Sequence, residues 1–442
     1  MDNKLVKDYI DFLSVAKTER KCTEFFVKEA EKLGFVNIDA KTSVKPHDKV
    51  YYNKMGKALV MFEVGDKPLT EGFNILGSHI DSPRLDVKMN PLYSEDGLVY
   101  LNTHYYGGIK KYQWTALPLA LYGVVCLKNG KTVNIEIGDK EGDTVFCISD
   151  ILPHLADSQM KKNAREFIEA EKLDVIVGLS ASEDKKNKDS AKDAILKILK
   201  SEYGIEEKDF NSAEIEVVPQ GKAKFLGFDK SMVLGYGQDD RVCAYASFRA
   251  IVENENKSKT VCLILSDKEE IGSYGATGMD SHLLENAVAE LVDKMSAYSG
   301  KEDITIRRAL ASSYMLSSDV NAAYDPLNTD LYDKQNASTL SGGLVFNKYT
   351  GARGKSGASD ANPEFIALIR NALDKDGVRY QFAELGKVDV GGGGTIALYA
   401  AKYGMNVIDA GVAVLSMHAP WEITSASDIL ETYKGYKSFL NL

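Results

Sequence analysis

The chain has 442 residues, 44% of them hydrophobic, which is ample for a packed core and long enough for two domains. A formal net charge of −10 speaks against a nucleic-acid or acidic-membrane partner, either of which favours a basic surface. Five scattered cysteines (Cys22, Cys126, Cys147, Cys243, Cys262) form no C-x-x-C pair, so neither a disulfide framework nor a cysteine-rich zinc site is expected, only reduced and mostly buried thiols.

The opening "MDNKLVKDYIDFLSVAKTER" is amphipathic and dotted with charge. No apolar run approaches the ~20 residues that span a bilayer, so the expected address is cytoplasmic. Apolar spacing predicts a helix through Leu5–Val15 and a second in "CTEFFVKEAEKLGF", closing at Gly34. "KALVMFEVG" and "FNILGSHIDS" read as strands. From about Pro91 the character turns β-rich: "GLVYLNTHYY", then "LPLALYGVVCLKNGKTVNIEIG" with a hairpin at Lys128-Asn129-Gly130, then "DTVFCISDILPHL". The charge run "SASEDKKNKDSAKD" reads as a solvated loop, followed by an amphipathic helix "AILKILKSEYGI" and a strand "AEIEVVP". Beyond "MVLGYGQDDR", strands alternate with helices to the end, the pattern of an α/β domain with a largely parallel sheet. Residues 1–92 and 233–442 are therefore expected to form one discontinuous domain, interrupted by a β-rich inserted domain at 93–232. No internal repeat is present.

Ligand-type side chains recur where apolar strands run out: His79-x-Asp81, Asp239-Asp240, Glu269-Glu270, Asp319 and His418. Each alone has a plain reading. A histidine and an aspartate can close a strand, an Asp pair can cap a helix, a Glu pair can be an acidic loop. Together they suit a metal site, because open α/β sheets gather residues distant in sequence at the carboxyl ends of their strands. Two histidines and three carboxylates (His79, Asp239, Glu270, Asp319, His418) are donors suited to zinc, with cobalt and manganese possible. With Asp239 shared, two ions would each receive a histidine, a terminal carboxylate and half the bridge. Asp81 would then orient the His79 ring, and Glu269 is left as a base.

"SHIDSP", "GQDDR", "DKEEIGSYGATGM", "SSDVNAAYDP" and "SMHAPWE", in this order around an insertion of this size, resemble the M18 metallo-aminopeptidases over essentially the whole chain. The resemblance implies a zinc-peptidase catalytic domain in which His79, Asp239 and Asp319 hold one zinc and Asp239, Glu270 and His418 the other, with Asp81 supporting His79 and peptides with a free N-terminus as substrates. It also implies a tetrahedral homododecamer whose inserted domain makes subunit contacts. The aspartyl aminopeptidases carry "PHLAIH" where this chain has "PHLADS". The second histidine, which reaches a neighbouring subunit's site, is Ser158 here, and His154 is either a substrate-binding residue or a structural one. The glycine run in "VDVGGGGTIA" lacks the context of a phosphate loop; the resemblance places it along the substrate pocket, with Asp389 and Gly393 as substrate contacts. Two other functions share these residues. A di-zinc deacylase or carboxypeptidase would need a cation for the substrate carboxylate, for which Arg241 and Arg353 are available. A non-enzymatic assembly protein would have no use for Glu269.

Overall fold

The computed structural model describes residues 3–179 and 190–442. The charge run falls mostly on residues 180–189 and lies outside them. The described chain forms two compact units, residues 1–82, 223–417 and 422–442 in the first and residues 83–222 and 418–421 in the second.

The first unit begins with two helices, α1 (Asn3–Val15) and α2 (Glu19–Lys32). The side chain of Thr18 caps α2 by accepting the Lys21 N–H, and Gly34, at φ 87°, turns the chain away after its end. A nine-stranded sheet follows. Its centre is a parallel quartet in the order Val261–Ser266, Asn74–His79, Tyr314–Ser317, Asn406–Gly411. The flanks are mixed: Ala58–Glu63 runs antiparallel to Val261–Ser266, and Leu344–Asn347 antiparallel to Asn406–Gly411. The sheet is thus mixed, with a parallel centre bordered by antiparallel pairings and a further parallel pairing at each edge.

Strands buried on both faces read as continuous apolar runs, and every residue of Asn74–His79 and Val261–Ser266 is buried. Their alternating side chains feed two separate cores. Leu76, Leu263, Leu265, Leu316 and Ile408 pack with α1, α2 and the helix Ala426–Leu440, whereas Ile75, Cys262, Ile264, Met315 and Val407 pack with the helix Leu283–Asp293. A smaller five-stranded sheet contains Met232–Gly235, Glu422–Ser425 and Ala413–Leu415. Cys22, Cys243 and Cys262 are buried free thiols; Cys126 is exposed and Cys147 half-buried.

The second unit carries a six-stranded antiparallel sheet in the order Thr132–Ile137, Leu119–Cys126, Ala213–Pro219, Arg84–Glu95, Leu98–Tyr106, Val175–Leu179. The Lys128-Asn129-Gly130 turn joins its first two strands. "DTVFCISDILPHL" forms only isolated bridges, at Phe146 and Cys147, followed by a short turn of helix at Pro153–Leu155. The unit begins at Pro83, not residue 93, because Arg84–Glu95 is one strand continuous with its hairpin partner. It ends at Lys222, not 232, because Met232–Gly235 pairs with Glu422–Ser425 of the first unit. Among the described residues no helix is long and apolar enough to cross a membrane.

Candidate metal and catalytic site

His79 is the last residue of the strand Asn74–His79 and lies opposite Ser266 of the neighbouring parallel strand. Parallel register brings the carboxyl ends of three central strands level. The turn Glu269–Ile271, the residue Asp319 and His79 therefore emerge at the same edge. Asp239 and His418 follow strands of the smaller sheet instead, so the ligand-type residues come from two sheets. Asp239 and Asp240 stand at the start of the helix Gln238–Val252 with non-helical backbone (φ −78°, ψ 109° and φ −111°, ψ 25°) and do not serve as a regular cap.

The His79 ring is almost wholly buried. Its Nδ1 lies 3.0 Å from the Asp81 carbonyl oxygen and 3.3 Å from Asp81 Oδ1. A carbonyl only accepts, so Nδ1 carries the proton and donates. Nε2 faces Asp239 Oδ1 at 3.1 Å and Asp319 Oδ1 at 3.9 Å. Ligand atoms of His79, Asp239 and Glu270 lie within 4.8 Å of one another, as do those of His79, Asp240 and Asp319.

Asp81, wholly buried, does more than hold the histidine. Its Oδ1 accepts the Glu269 N–H and its Oδ2 the Glu270 N–H, both at 3.2 Å. One carboxylate thus fixes the His79 ring and the backbone of the Glu269–Glu270 turn. That turn starts from Lys268 and ends on Gly272, both with left-handed backbone. Glu270 joins the His79–Asp239 group, while the charge of Glu269 bears on Asp319.

Burial alone would lower the His79 pKa, but hydrogen bonds with Asp239 and Asp81 and the charge of Asp319 hold it well above the ordinary value. Burial pushes Asp319 well up, opposed by His79 and reinforced by Glu269, Asp239 and Asp409. Burial and the charge of Asp319 do the same to Asp240. Carboxyl groups crowded out of water in this way are the environment a divalent cation relieves, and the nitrogen and oxygen donors are those zinc takes. The residues present fit zinc.

His418 belongs to the second unit, where its Nδ1 donates to the Gly108 carbonyl at 2.9 Å and leaves Nε2 as the acceptor nitrogen. His154 is exposed on the short turn Pro153–Leu155. Asp389 is exposed with φ 68°, in the glycine loop. A Cβ on Gly391 would come within 1.8 Å of the Leu385 carbonyl oxygen, so only glycine fits there. Gly393 meets nothing within 4 Å. A cavity of about 280 Å³ beside this loop is lined by Tyr349, Arg353, Lys355, Glu384, Lys387 and Gly392, among others. Arg241 is buried and donates to the carbonyls of Ile80 and Lys17, which removes it as a cation for substrate.

Sequence reading missed the bonds that hold the ligand-type residues in place. Asp240 Oδ2 accepts the His79 backbone N–H at 3.3 Å, Ser82 Oγ donates to the Asp239 carbonyl at 2.6 Å, and Glu422 Oε2 accepts the Asp239 N–H at 3.1 Å. All three sit inside or beside the quoted motifs, so asking what each ligand's own backbone bonds to would have raised them.

Residues 12–440 match the family described as "Aminopeptidase I zinc metalloprotease (M18)". The chain is 55% identical to a "Probable M18 family aminopeptidase 1" of Clostridium acetobutylicum, over 98% of this chain and 93% of that protein. An M18-family aminopeptidase from Thermotoga maritima, known from its crystal structure, superposes with a TM-score of 0.95 at 40% identity, over 100% of this chain and 97% of that one. The mApe1 dodecamer of S. cerevisiae shares the fold, with a TM-score of 0.79 at 21% identity over 99% and 96% of the two chains. The chain therefore belongs to the M18 family of zinc aminopeptidases and is a metallo-hydrolase of that class.

Proposed function

We propose that this aminopeptidase works with two zinc ions per subunit, His79, Asp239 and Asp319 holding one and Asp239, Glu270 and His418 the other. The observation that carries the reading is that His79 shares one close group of ligand atoms with Asp239 and Glu270 and another with Asp240 and Asp319, with Asp81 bonded to both the imidazole and the Glu269–Glu270 turn. Zinc held by these residues would supply Lewis acidity for a water and for a peptide carbonyl. Glu269 accepts the proton of the water whose oxygen attacks that carbonyl carbon. As the C–N bond breaks, Glu269 passes the same proton to the leaving nitrogen and is restored. Asp81 keeps Nδ1 of His79 protonated, so that Nε2 stays the donor atom.

Substrates are peptides with a free α-amine. Gly393, open on the side where its Cβ would be, lets a peptide approach the backbone, and Asp389 is an exposed carboxylate of the same loop. Metal-stripped protein titrated with zinc, cobalt or manganese and assayed on a panel of aminoacyl-4-nitroanilides tests the reading. Two ions per subunit should restore turnover, and N-acetylated substrates should be inert. Full turnover with one ion, or hydrolysis of N-blocked peptides, would overturn it.

The assembly proposed is a homododecamer built through the second unit. The segment Ile151–Met160 exposes Ile151, Leu152, Leu155 and Met160, side chains that a free surface seldom clusters. His154 lies among them.

A further inference from the structure

The turns that carry Asp239 and His79 are tied to α1 and to its link with α2. Tyr9 on α1 is fully buried, and its hydroxyl donates to Gln238 Oε1 at 3.1 Å across 229 residues of sequence. The Gln238 amide nitrogen donates to the Val233 carbonyl at 3.1 Å and the Glu422 carbonyl at 2.7 Å. These two carbonyl partners fix which way the amide points, because a flipped amide would set oxygen against oxygen. Glu422 in turn accepts the Asp239 N–H through Oε2. A second path reaches the other turn. Arg241 donates through Nη2 to the carbonyl of Lys17, which links α1 to α2, and through Nε to the carbonyl of Ile80, between His79 and Asp81.

We propose that α1 and its link to α2 brace the metal site, and that Tyr9 is a positioning residue that acts through Gln238 and Glu422 on Asp239. The inference rests on Asp239 being the shared ligand. Tyr9 touches neither substrate nor ligand atoms. Its hydroxyl completes the hydrogen bonding of a buried glutamine whose orientation sets the strand segment carrying Glu422 against the Asp239 backbone. Loosening that amide lets the Asp239 carboxylate wander, and a ligand held less firmly binds its ion less tightly.

Tyr9→Phe keeps the ring and removes only the hydroxyl, so its packing among Phe12 and Tyr245 is retained. Zinc affinity is measured by chelator competition on metal-stripped full-length protein, with thermal melting of the metal-free form alongside. Tyr9→Phe is expected to lose about tenfold in affinity and Gln238→Met about 10- to 100-fold. The metal-free melting temperature of Tyr9→Phe should fall by no more than about 2–4 °C, the loss of one buried hydrogen bond. Because both act along one path, the double variant should be no worse than Gln238→Met alone. Wild-type affinity in Tyr9→Phe, or losses that multiply in the double variant, would overturn the inference. Asp239→Asn separates the two levels. If it loses zinc while Tyr9→Phe keeps it, only the brace fails; if Asp239→Asn keeps wild-type affinity, the ligand reading and the brace fail together.

Discussion

Glu269 and Glu270 are neighbours in sequence to which the proposed mechanism gives separate duties, and substitution should part them. Glu269→Gln keeps shape and metal but removes the proton acceptor. General acid–base catalysis contributes roughly 10² to 10⁴-fold, so kcat should fall by that much with zinc content unchanged. Turnover near wild type, or turnover recovered by added zinc, would reassign the base. Asp81→Asn should fail in two ways at once. Its amide cannot accept both the Glu269 and the Glu270 N–H, so zinc affinity should drop roughly 10 to 100-fold, and a kcat deficit should persist at saturating zinc. A full rescue by zinc would confine Asp81 to supporting His79. A third residue tests the fold away from the chemistry. Burial and the charge of Lys67, against that of Glu71, lower the pKa of Lys259 from 10.5 to about 8, over the ring of Tyr314 at 4.4 Å. A lysine whose pKa is depressed on folding binds fewer protons folded than unfolded, so its penalty is full below about pH 8 and is lifted as pH rises from there towards 10.5. Lys259→Met should therefore raise the melting temperature at pH 7, and the gain should shrink by pH 10. A gain that is the same at both pH values would show that Lys259 carries no such penalty.

At the scale of elements, the glycine loop is where backbone shape is most tightly set. Gly391→Ala forces a Cβ onto the Leu385 carbonyl and should cost about 1–3 kcal/mol, with KM raised as the loop shifts. Gly394→Ala meets nothing within 4 Å and should stay within about 0.5 kcal/mol of wild type. Equal melting temperatures for the two variants would contradict the loop geometry. Elements with strong periodicity were legible in the sequence. The α1 and α2 helices, the strands Ala58–Glu63 and Asn74–His79 and the hairpin at Gly130 were all expected where they occur. So were the strand ends bearing His79, the Glu269–Glu270 turn and Asp319, because an apolar run followed by ligand-type residues is a local signal. "DTVFCISDILPHL" misled because β-branched and aromatic residues make a segment look like a strand, while only long-range pairing makes it one. The antiparallel pairings that border the parallel quartet and the division of ligand-type residues between two sheets had no local signal. Strand direction and sheet membership are decided by partners far away in the chain. Tyr9 was illegible for the same reason, as nothing near it in sequence announces a glutamine 229 residues on.

At the scale of the whole molecule, light scattering should give the mass of a dodecamer at micromolar concentration. Leu155→Asp with Met160→Asp should reduce that mass by placing charge on the exposed apolar segment. A fully active monomer in the unsubstituted protein would overturn the assembly. The distances along the chain between site partners carry a further consequence, for the order of synthesis. Asp239 Oδ1 meets a histidine 160 residues earlier, and its N–H meets a glutamate 183 residues later. A chain emerging from the ribosome as far as the Glu269–Glu270 turn already holds His79, Asp81, Asp239, the proposed base Glu269 and Glu270, yet lacks Asp319, Glu422 and His418. Domains fold as they emerge at about 5–20 residues per second, so for many seconds this nascent chain is a peptidase without a site. Hydrolytic competence is expected to appear only once the strand Glu422–Ser425 has cleared the exit tunnel.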